Sequence, residues 1–203
     1  MPLKIWLQQN TIIQNLLMNK TYQNIQSKTK FNVPNDWLQI KTIDLHTGGE
    51  PLRVIVDGFP ELEGNSILEY RKFCKENFDH LRTTLMFEPR GHADMYGCIL
   101  LPPNDSEGDF GILFLHNEGY STMCGHAIIA VSTLAVEMSW IDVKEGDNII
   151  KIDAPCGRIT SFANVKDGKI NGVRFHCVPS FVVGLDRTLE IEGLGKITYD
   201  LAY

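Results

Sequence analysis

The sequence predicts an α+β fold whose sheets are mostly antiparallel. Segments with strand patterns alternate with two segments of helical spacing, in the order strands, helix, strands, helix, strands. Clusters of Gly, Pro, Asn and Asp separate the strand segments, as is usual for the turns of antiparallel sheets. At 203 residues, of which 43% are hydrophobic, the chain is long enough to bury a sizeable core.

The first half of the regular region contains four predicted strands and one helix. The strands LQIKTIDLH and LRVIVDG are separated by the turn TGGEP, and the strands DMYGCILLP and DFGILFLH follow later. Between the two pairs, SILEYRKFCKENFDHLRTTLMF has helical spacing, and Asn65 or Ser66 is the expected N-cap.

The second half begins with the apolar helix GHAIIAVSTLAVEM. Four short strands are predicted after it: NIIKIDA, GRITSFANV, KINGVRFHCV and SFVVGL. The dipeptide Asp167-Gly168 lies where a hairpin turn is expected, because Asp-Gly readily adopts positive φ.

Residues 1–37 differ from the rest of the chain. The first 35 residues are rich in Asn and Gln and contain no Asp or Glu. We expect a poorly ordered N-terminal extension with some helix around residues 5–18. Mitochondrial transit peptides also lack acidic residues, but they favour Arg, which is absent here. A cytoplasmic location is therefore predicted, and a mitochondrial one is left open.

Charge and cysteine usage exclude several classes of function. The formal net charge of -6 argues against nucleic acid as a partner. No apolar run approaches the length of about 18 residues that a membrane span requires. The cysteines have no C-x-x-C spacing and no two histidines lie four residues apart, so neither a zinc site nor a disulfide framework is predicted. These cysteines are Cys74, Cys98, Cys124, Cys156 and Cys177.

Cys124 lies where a predicted strand-to-helix connection ends and the apolar helix begins. Unpaired N–H groups at a helix N-terminus favour a thiolate and can hold a substrate carboxylate. Gly125 lets the backbone approach a bound group, and His126 can donate or accept a hydrogen bond there. The alternative interpretation is a buried structural cysteine beside a turn glycine.

Two further polar clusters occur in predicted turns. One contains Asp44, His46 and Glu50, and the other contains Glu88, Arg90, His92 and Asp94. Turn chemistry and the scaffolding of a site remain equally open for both clusters.

Five stretches together resemble the proline racemase family. They are, in chain order, DLHTGGEPLRV, MFEPRGHADMYG, NEGYSTMCGHAIIA, VPSFV and GKITYDLAY. The resemblance runs from about Ile40 to the last residue and implies a diaminopimelate epimerase-like fold, with two similar sheet-around-helix domains and the site between them. We expect residues 38–123 to form the first α/β domain, and residues 124–203 to supply the central helix and an incomplete second domain whose sheet starts near Ile149.

Within this family, the stretches around Cys124 are most similar to those of the trans-3-hydroxy-L-proline dehydratases. The resemblance implies that Cys124 takes the α-proton of a proline-type substrate, that Gly125 and His126 help to bind it, and that no cofactor or metal takes part. The product would be pyrroline-2-carboxylate, and a homodimer is possible.

Two alternatives to the dehydratase stay open. The first is a proline racemase or 4-hydroxyproline 2-epimerase, which has a second cysteine where the dehydratases have a threonine. The family pattern places that second residue beyond Tyr203, so we expect little turnover by the chain alone. The second alternative is a non-catalytic truncated family member. The stretch DAPCGRI superficially resembles the second-cysteine motif, but Cys156 is interpreted as structural, and Cys74, Cys98 and Cys177 as core residues.

Overall fold

The computed structural model describes residues 20–28 and 33–203. The chain divides into two compact units, Met1–Leu38 and Gln39–Tyr203. In the first unit, helix α1 spans Lys20–Lys28. The helix predicted around residues 5–18 lies outside the described residues.

The second unit is built on a seven-stranded sheet whose strands follow one another in chain order. The strands are β1 (Lys41–Thr47), β2 (Glu50–Asp57), β3 (Tyr96–Leu101), β4 (Phe110–His116), β5 (Gly146–Ala154), β6 (Gly157–Lys166) and β7 (Lys169–His176). Most neighbours are antiparallel, as predicted, but β2–β3 and β4–β5 are parallel. Parallel neighbours need crossover connections, and helices occupy both of them.

The second crossover, helix α4 (Gly125–Glu137), lies inside the curve of the sheet. It contacts both edge strands, β1 and β7, as well as β2, β3 and β6. A helix enclosed in this way must be apolar on all sides, which explains its buried residues Ala127, Ile128, Val131 and Leu134. The predicted apolar helix is confirmed.

The first crossover contains two helices, α2 (Ile67–Asn77) and α3 (Asp79–Met86), rather than the single predicted helix. Ser66 is the N-cap of α2, since its hydroxyl accepts a hydrogen bond from the Glu69 N–H. The helix is interrupted at Phe78, whose ring packs edge-on against other aromatic rings. These rings belong to Phe59 and Phe73.

The two faces of the sheet belong to different cores. Along β4, Ile112 and Phe114 face the core around α4, and Leu113 and Leu115 face the core beneath α2 and α3. This alternation explains why FGILFLH is an almost continuous apolar run, since a strand covered on both faces needs apolar residues at every position.

The expectation of a separate second sheet from Ile149 onward is wrong for most of that region. Strands β5, β6 and β7 continue the first sheet, because β5 pairs with β4. A separate two-stranded sheet forms later, from β8 (Val182–Ile191) and β9 (Gly195–Ala202). The predicted domain boundary between residues 123 and 124 falls at the start of α4, within one continuous sheet-and-helix unit.

Asp167 and Gly168 form the hairpin turn between β6 and β7, with φ of 53° and 70°, as predicted. Across the described parts of the chain, no helix combines the length and the apolar character needed to cross a membrane.

Candidate active site

Cys124 is the N-cap of α4, with extended backbone angles (φ −148°, ψ 104°). Its side chain is 6% exposed and does not cap the helix with a hydrogen bond of its own. The first-turn N–H groups of a helix have no partner within the helix and point toward the space beside the N-cap. The structure therefore places a thiol next to backbone donors that suit an anionic ligand.

Burial raises the pKa of the Cys124 thiol to about 11. The nearby Ala127 backbone N–H favours the thiolate and lowers the pKa, whereas the negative charge of Glu50 raises it further. The helix N-terminus thus favours the thiolate, as the sequence predicts, but burial outweighs this effect. At neutral pH the thiol of the free protein is protonated.

His126 lies beside Cys124, with its Nδ1 atom 3.4 Å from the sulfur. The Tyr96 ring contacts the His126 ring edge-on, with the ring centroids 4.9 Å apart. The Tyr96 ring also stacks on the ring of His116, at the end of β4. Burial raises the pKa of Tyr96, and the nearby Cys124 thiol adds to the rise. Burial lowers the pKa of His116, and the charge of Arg82 lowers it further. These contacts fix the orientation of the His126 ring.

Gly125 is the first residue of α4, and its position is close to the Phe175 ring of β7. A Cβ atom at Gly125 would lie 3.3 Å from Cζ of that ring, so even alanine would require a small shift of Phe175. The predicted site residues Cys124, Gly125 and His126 therefore share one location at the start of α4.

The tip of the β1–β2 hairpin reaches this location. The Thr47 hydroxyl donates a 2.9 Å hydrogen bond to the His126 carbonyl. Glu50, the residue paired with Thr47, is close enough for its charge to act on the Cys124 thiol. Of the first polar cluster, Glu50 is thus near the site. Asp44 instead forms an ion pair with Arg53, and His46 Nδ1 accepts from the Gly49 N–H at 3.4 Å.

The second polar cluster borders a cavity of about 670 Å³ beside Tyr96 and His116. Its side chains Glu88, His92 and Asp94 line this cavity. Arg90 does not line it, but its carbonyl accepts a 2.6 Å hydrogen bond from Arg53.

Two arginine side chains, one buried and one largely buried, hold the loops around the cavity. Arg53 donates to the carbonyls of Leu85 and Arg90 and pairs with Asp44 through two hydrogen bonds. Arg82 is 7% exposed and donates to the carbonyls of His116 and Asn117 while pairing with Asp79. The loops around the cavity are therefore held by arginines that lie outside the second cluster.

The other four cysteines differ in burial. Cys74 and Cys98 are fully buried, as predicted for core residues. Cys177 is exposed, contrary to the prediction, because β7 ends at His176 and an irregular segment follows. Cys156 lies in the β5–β6 turn, and its N–H donates to the Thr122 carbonyl at 3.1 Å.

The part of the chain that the structure describes contains no cluster of three or more His, Cys, Asp or Glu residues that could hold a metal ion. Sequence reasoning missed Thr47 and Tyr96, and it left Glu50 undecided. Their proximity to Cys124 arises from contacts between residues far apart in the chain, which no local pattern reveals.

The sequence matches a known protein family and two curated relatives. Residues 42–203 match the family model described as proline racemase. A trans-L-3-hydroxyproline dehydratase of Xenopus tropicalis is 46% identical over 171 residues, which cover 84% of this chain and 49% of the relative. A trans-3-hydroxy-L-proline dehydratase of Colwellia psychrerythraea is 49% identical over 168 residues, covering 82% of this chain and 47% of the relative.

A solved structure shows the same architecture. A hydroxyproline epimerase from Agrobacterium vitis, with trans-4-hydroxy-L-proline bound, matches with a TM-score of 0.72 and 29% sequence identity. The match covers 81% of this chain and 48% of the epimerase. The chain thus spans about half the length of the curated relatives and of the solved structure it matches.

Proposed function

Because the chain belongs to the proline racemase family, we propose that it supplies the base-bearing half of an active site that dehydrates trans-3-hydroxy-L-proline to pyrroline-2-carboxylate. The observation that carries the proposal is the position of Cys124, a buried thiol at the N-cap of α4 beside His126. The names of the relatives that are 46% and 49% identical supply the substrate.

The chain's own residues suggest how the first step proceeds. The first-turn N–H groups of Gly125 and His126 hydrogen-bond the substrate carboxylate, which places the α-carbon near the Cys124 sulfur. The thiolate takes the α-proton, and the helix N-terminus stabilises the negative charge that develops on the carboxylate. The Cys124 thiol then gives this proton to the 3-hydroxyl group, which leaves as water, and the resulting enamine rearranges to the imine.

The raised pKa of Cys124 bears on this step. A thiol with a pKa of about 11 is a strong base once ionised, but it is protonated in the free protein. A bound substrate with a cationic nitrogen close to the sulfur favours the thiolate, since opposite charges within about 4–6 Å lower the pKa of an acid. Ionisation is therefore coupled to substrate binding.

An epimerase is the second candidate, since the solved structure that matches the chain is named a hydroxyproline epimerase. Both candidates begin with removal of the α-proton by Cys124. They differ in the next step, which is loss of the 3-hydroxyl group in the dehydratase and return of a proton to the opposite face in the epimerase.

The test fuses the chain, at Tyr203, to the C-terminal half of the Xenopus tropicalis relative that the match leaves uncovered. The fusion is incubated separately with trans-3-hydroxy-L-proline, trans-4-hydroxy-L-proline and L-proline in deuterated water and followed by NMR. We expect consumption of the first compound alone, with an imine product. A folded fusion that leaves all three compounds unchanged would favour a non-catalytic protein. A second fusion, to the uncovered C-terminal half of the Agrobacterium vitis epimerase, tests the epimerase. We expect it to be inactive, and inversion of trans-4-hydroxy-L-proline by this fusion alone would favour the epimerase.

A further inference from the structure

A second cavity, of about 450 Å³, lies beside the loop that joins β4 to α4. Its walls come from α2, α3, the end of β4 and that loop, and most of the lining residues are charged or polar. They are Arg71, Lys75, Asp79, Arg82, His116, Glu118, Gly119 and Tyr120. Cys124, Gly125 and His126 do not line this cavity, so the proposed reaction does not account for its charged residues.

The fold itself uses one of the two arginines in this cavity. Arg82 is 7% exposed and pairs with Asp79 through two hydrogen bonds. It also donates to the carbonyls of His116 and Asn117. The positive charge of Arg82 is therefore balanced by the Asp79 carboxylate, and its donors hold the backbone of the loop. This pair adds little net charge to the cavity.

The fold uses the second arginine, Arg71, only in part. Its Nη2 atom donates a 2.5 Å hydrogen bond to the Tyr120 carbonyl, which places the guanidinium group at the wall of the cavity. Its Nε atom is buried and has no hydrogen-bond partner. Within residues 20–28 and 33–203, no carboxylate lies within ion-pair distance of Arg71. Because a guanidinium group has five N–H donors in a fixed fork, Arg71 retains donors and a charge that the fold leaves uncompensated.

Lys75 adds a second positive charge on the same side of α2. Residues four positions apart lie on the same face of a helix, so Arg71 and Lys75 are neighbours, and both line the cavity. In the described part of the chain, neither Lys75 nor the exposed Glu118 forms an ion pair. Two positive charges against the single charge of Glu118 leave the cavity with a net positive charge, which favours an anionic ligand.

We propose that this cavity binds a phosphate group, either as the free ion or as part of a small phosphomonoester. The free donors of Arg71 bond to the phosphate oxygens, and the Lys75 ammonium group adds a compact second charge. A phosphate group has enough negative charge to balance both cations, whereas a single carboxylate balances one. The volume of about 450 Å³ lies within the range of about 300–1,000 Å³ that is usual for small-molecule sites, so an ester also fits. This inference does not depend on the proposed function.

A ligand in this cavity lies next to the candidate active site. His116 and Glu118 line both this cavity and the cavity of about 670 Å³, so the two cavities share a wall. The His116 ring stacks on Tyr96, and the Tyr96 ring contacts His126. Binding should therefore change the NMR signals of His116 and Tyr96 as well as those of the loop.

The test titrates the ¹⁵N-labelled 203-residue chain with inorganic phosphate and, separately, with glycerol 3-phosphate, at neutral pH and constant ionic strength. The backbone amide signals of Gly119 and Tyr120, which line the cavity, report binding. Lys75→Gln removes one of the two cations. Lys72→Gln is the matched control, because Lys72 lies on the same helix, pairs with Glu76 and does not line the cavity.

We expect saturable binding that Lys75→Gln weakens by roughly fivefold and Lys72→Gln changes by less than about twofold. Glu118→Gln should strengthen binding by roughly twofold, because it removes a negative charge that opposes the ligand. Tighter binding of glycerol 3-phosphate would assign the cavity to a phosphomonoester, and equal binding of both ligands would assign it to the phosphate group alone. Signals of Gly119 and Tyr120 that do not saturate with either ligand, or equal weakening by the two lysine variants, would overturn the proposal.

Discussion

The Thr47 hydroxyl donates a 2.9 Å hydrogen bond to the His126 carbonyl, across 79 positions of sequence. This bond joins the tip of the β1–β2 hairpin to the first turn of α4, where the candidate site lies. The hairpin therefore fixes the position of the helix N-terminus as well as forming an edge of the sheet.

Replacing Thr47 with valine tests this connection. Thr47→Val keeps the shape of the side chain and removes the donor, so we expect the free energy of unfolding to fall by about 1 kcal/mol. Amide exchange in the first turn of α4 should also become faster. Thr133→Val is the matched control, because the Thr133 hydroxyl bonds to Ile129 within α4 itself. Equal exchange rates at the start of α4 in the two variants would show that the hairpin does not position the helix.

Arg53 should contribute far more to the free energy of unfolding than an exposed arginine in an ion pair does. Its side chain is 14% exposed and joins Asp44 to the carbonyls of Leu85 and Arg90. Lysine cannot reproduce these directional bonds, so Arg53→Lys should lower the free energy of unfolding by about 1–3 kcal/mol.

The matched control for Arg53→Lys is Arg174→Lys, since Arg174 forms an ion pair with Asp147 while its side chain is 59% exposed. We expect this change to cost less than about 1 kcal/mol, because exposed ion pairs contribute little. Urea unfolding compares the two variants. Similar losses in both would mean that Arg53 does not hold the cavity loops in the way its contacts indicate.

Hydrogen exchange should divide the C-terminal region into two parts. Strands β5 and β6 contain fully buried residues, among them Ile150, Ile152 and Ile159, and should exchange slowly. Strands β8 and β9 pair with each other in a two-stranded sheet with many exposed apolar side chains, and should exchange fast. Exchange measured by mass spectrometry on peptides resolves the two parts, and equal protection in both would contradict this description.

Alkaline pH should weaken the fold through Cys124. Its pKa is raised from an ordinary value of 9.0 to about 11, so below pH 9 the thiol is protonated in both the folded and the unfolded chain. Between about pH 9 and pH 11 the unfolded chain loses this proton while the folded chain keeps it, and stability falls as pH rises.

Urea unfolding at pH 7, 9 and 10 measures this effect of pH. We expect Cys124→Ser to reduce the loss of stability, and the same change at the exposed Cys177 to leave it unaltered. An identical pH dependence in wild type and Cys124→Ser would contradict the assigned burial of the thiol.

Local sequence patterns correctly predicted where two of the helices begin. The start of α4 follows from a Cys-Gly pair before a run that is apolar on every face, and Ser66 follows from its position ahead of a helical pattern. At Phe78, where the helix is interrupted, the ring packs against Phe59 from the loop after β2, a contact between distant residues that helical spacing does not reveal.

Parts of the site and of the sheet also depend on contacts between residues that are distant in sequence. Cys124, Gly125 and His126 are adjacent in sequence, and their grouping was visible there. Thr47 joins them through an interaction between distant residues. The continuation of the sheet through β5 rests on a short parallel pairing with β4, which strand patterns do not specify. The raised pKa of Cys124 reflects burial by the whole fold, which outweighs the local effect of the helix N-terminus.

The proposal that Cys124 removes the α-proton is tested most directly by measuring the loss of the hydrogen on the α-carbon. The fusion protein described above is incubated with trans-3-hydroxy-L-proline in deuterated water, and remaining substrate and product are analysed by NMR and mass spectrometry. We expect the wild type to break the α-carbon–hydrogen bond, Cys124→Ser to lose this activity by at least about 100-fold while remaining folded, and Cys156→Ser to retain it. Equal rates in the wild type and a folded Cys124→Ser variant would contradict the proposal.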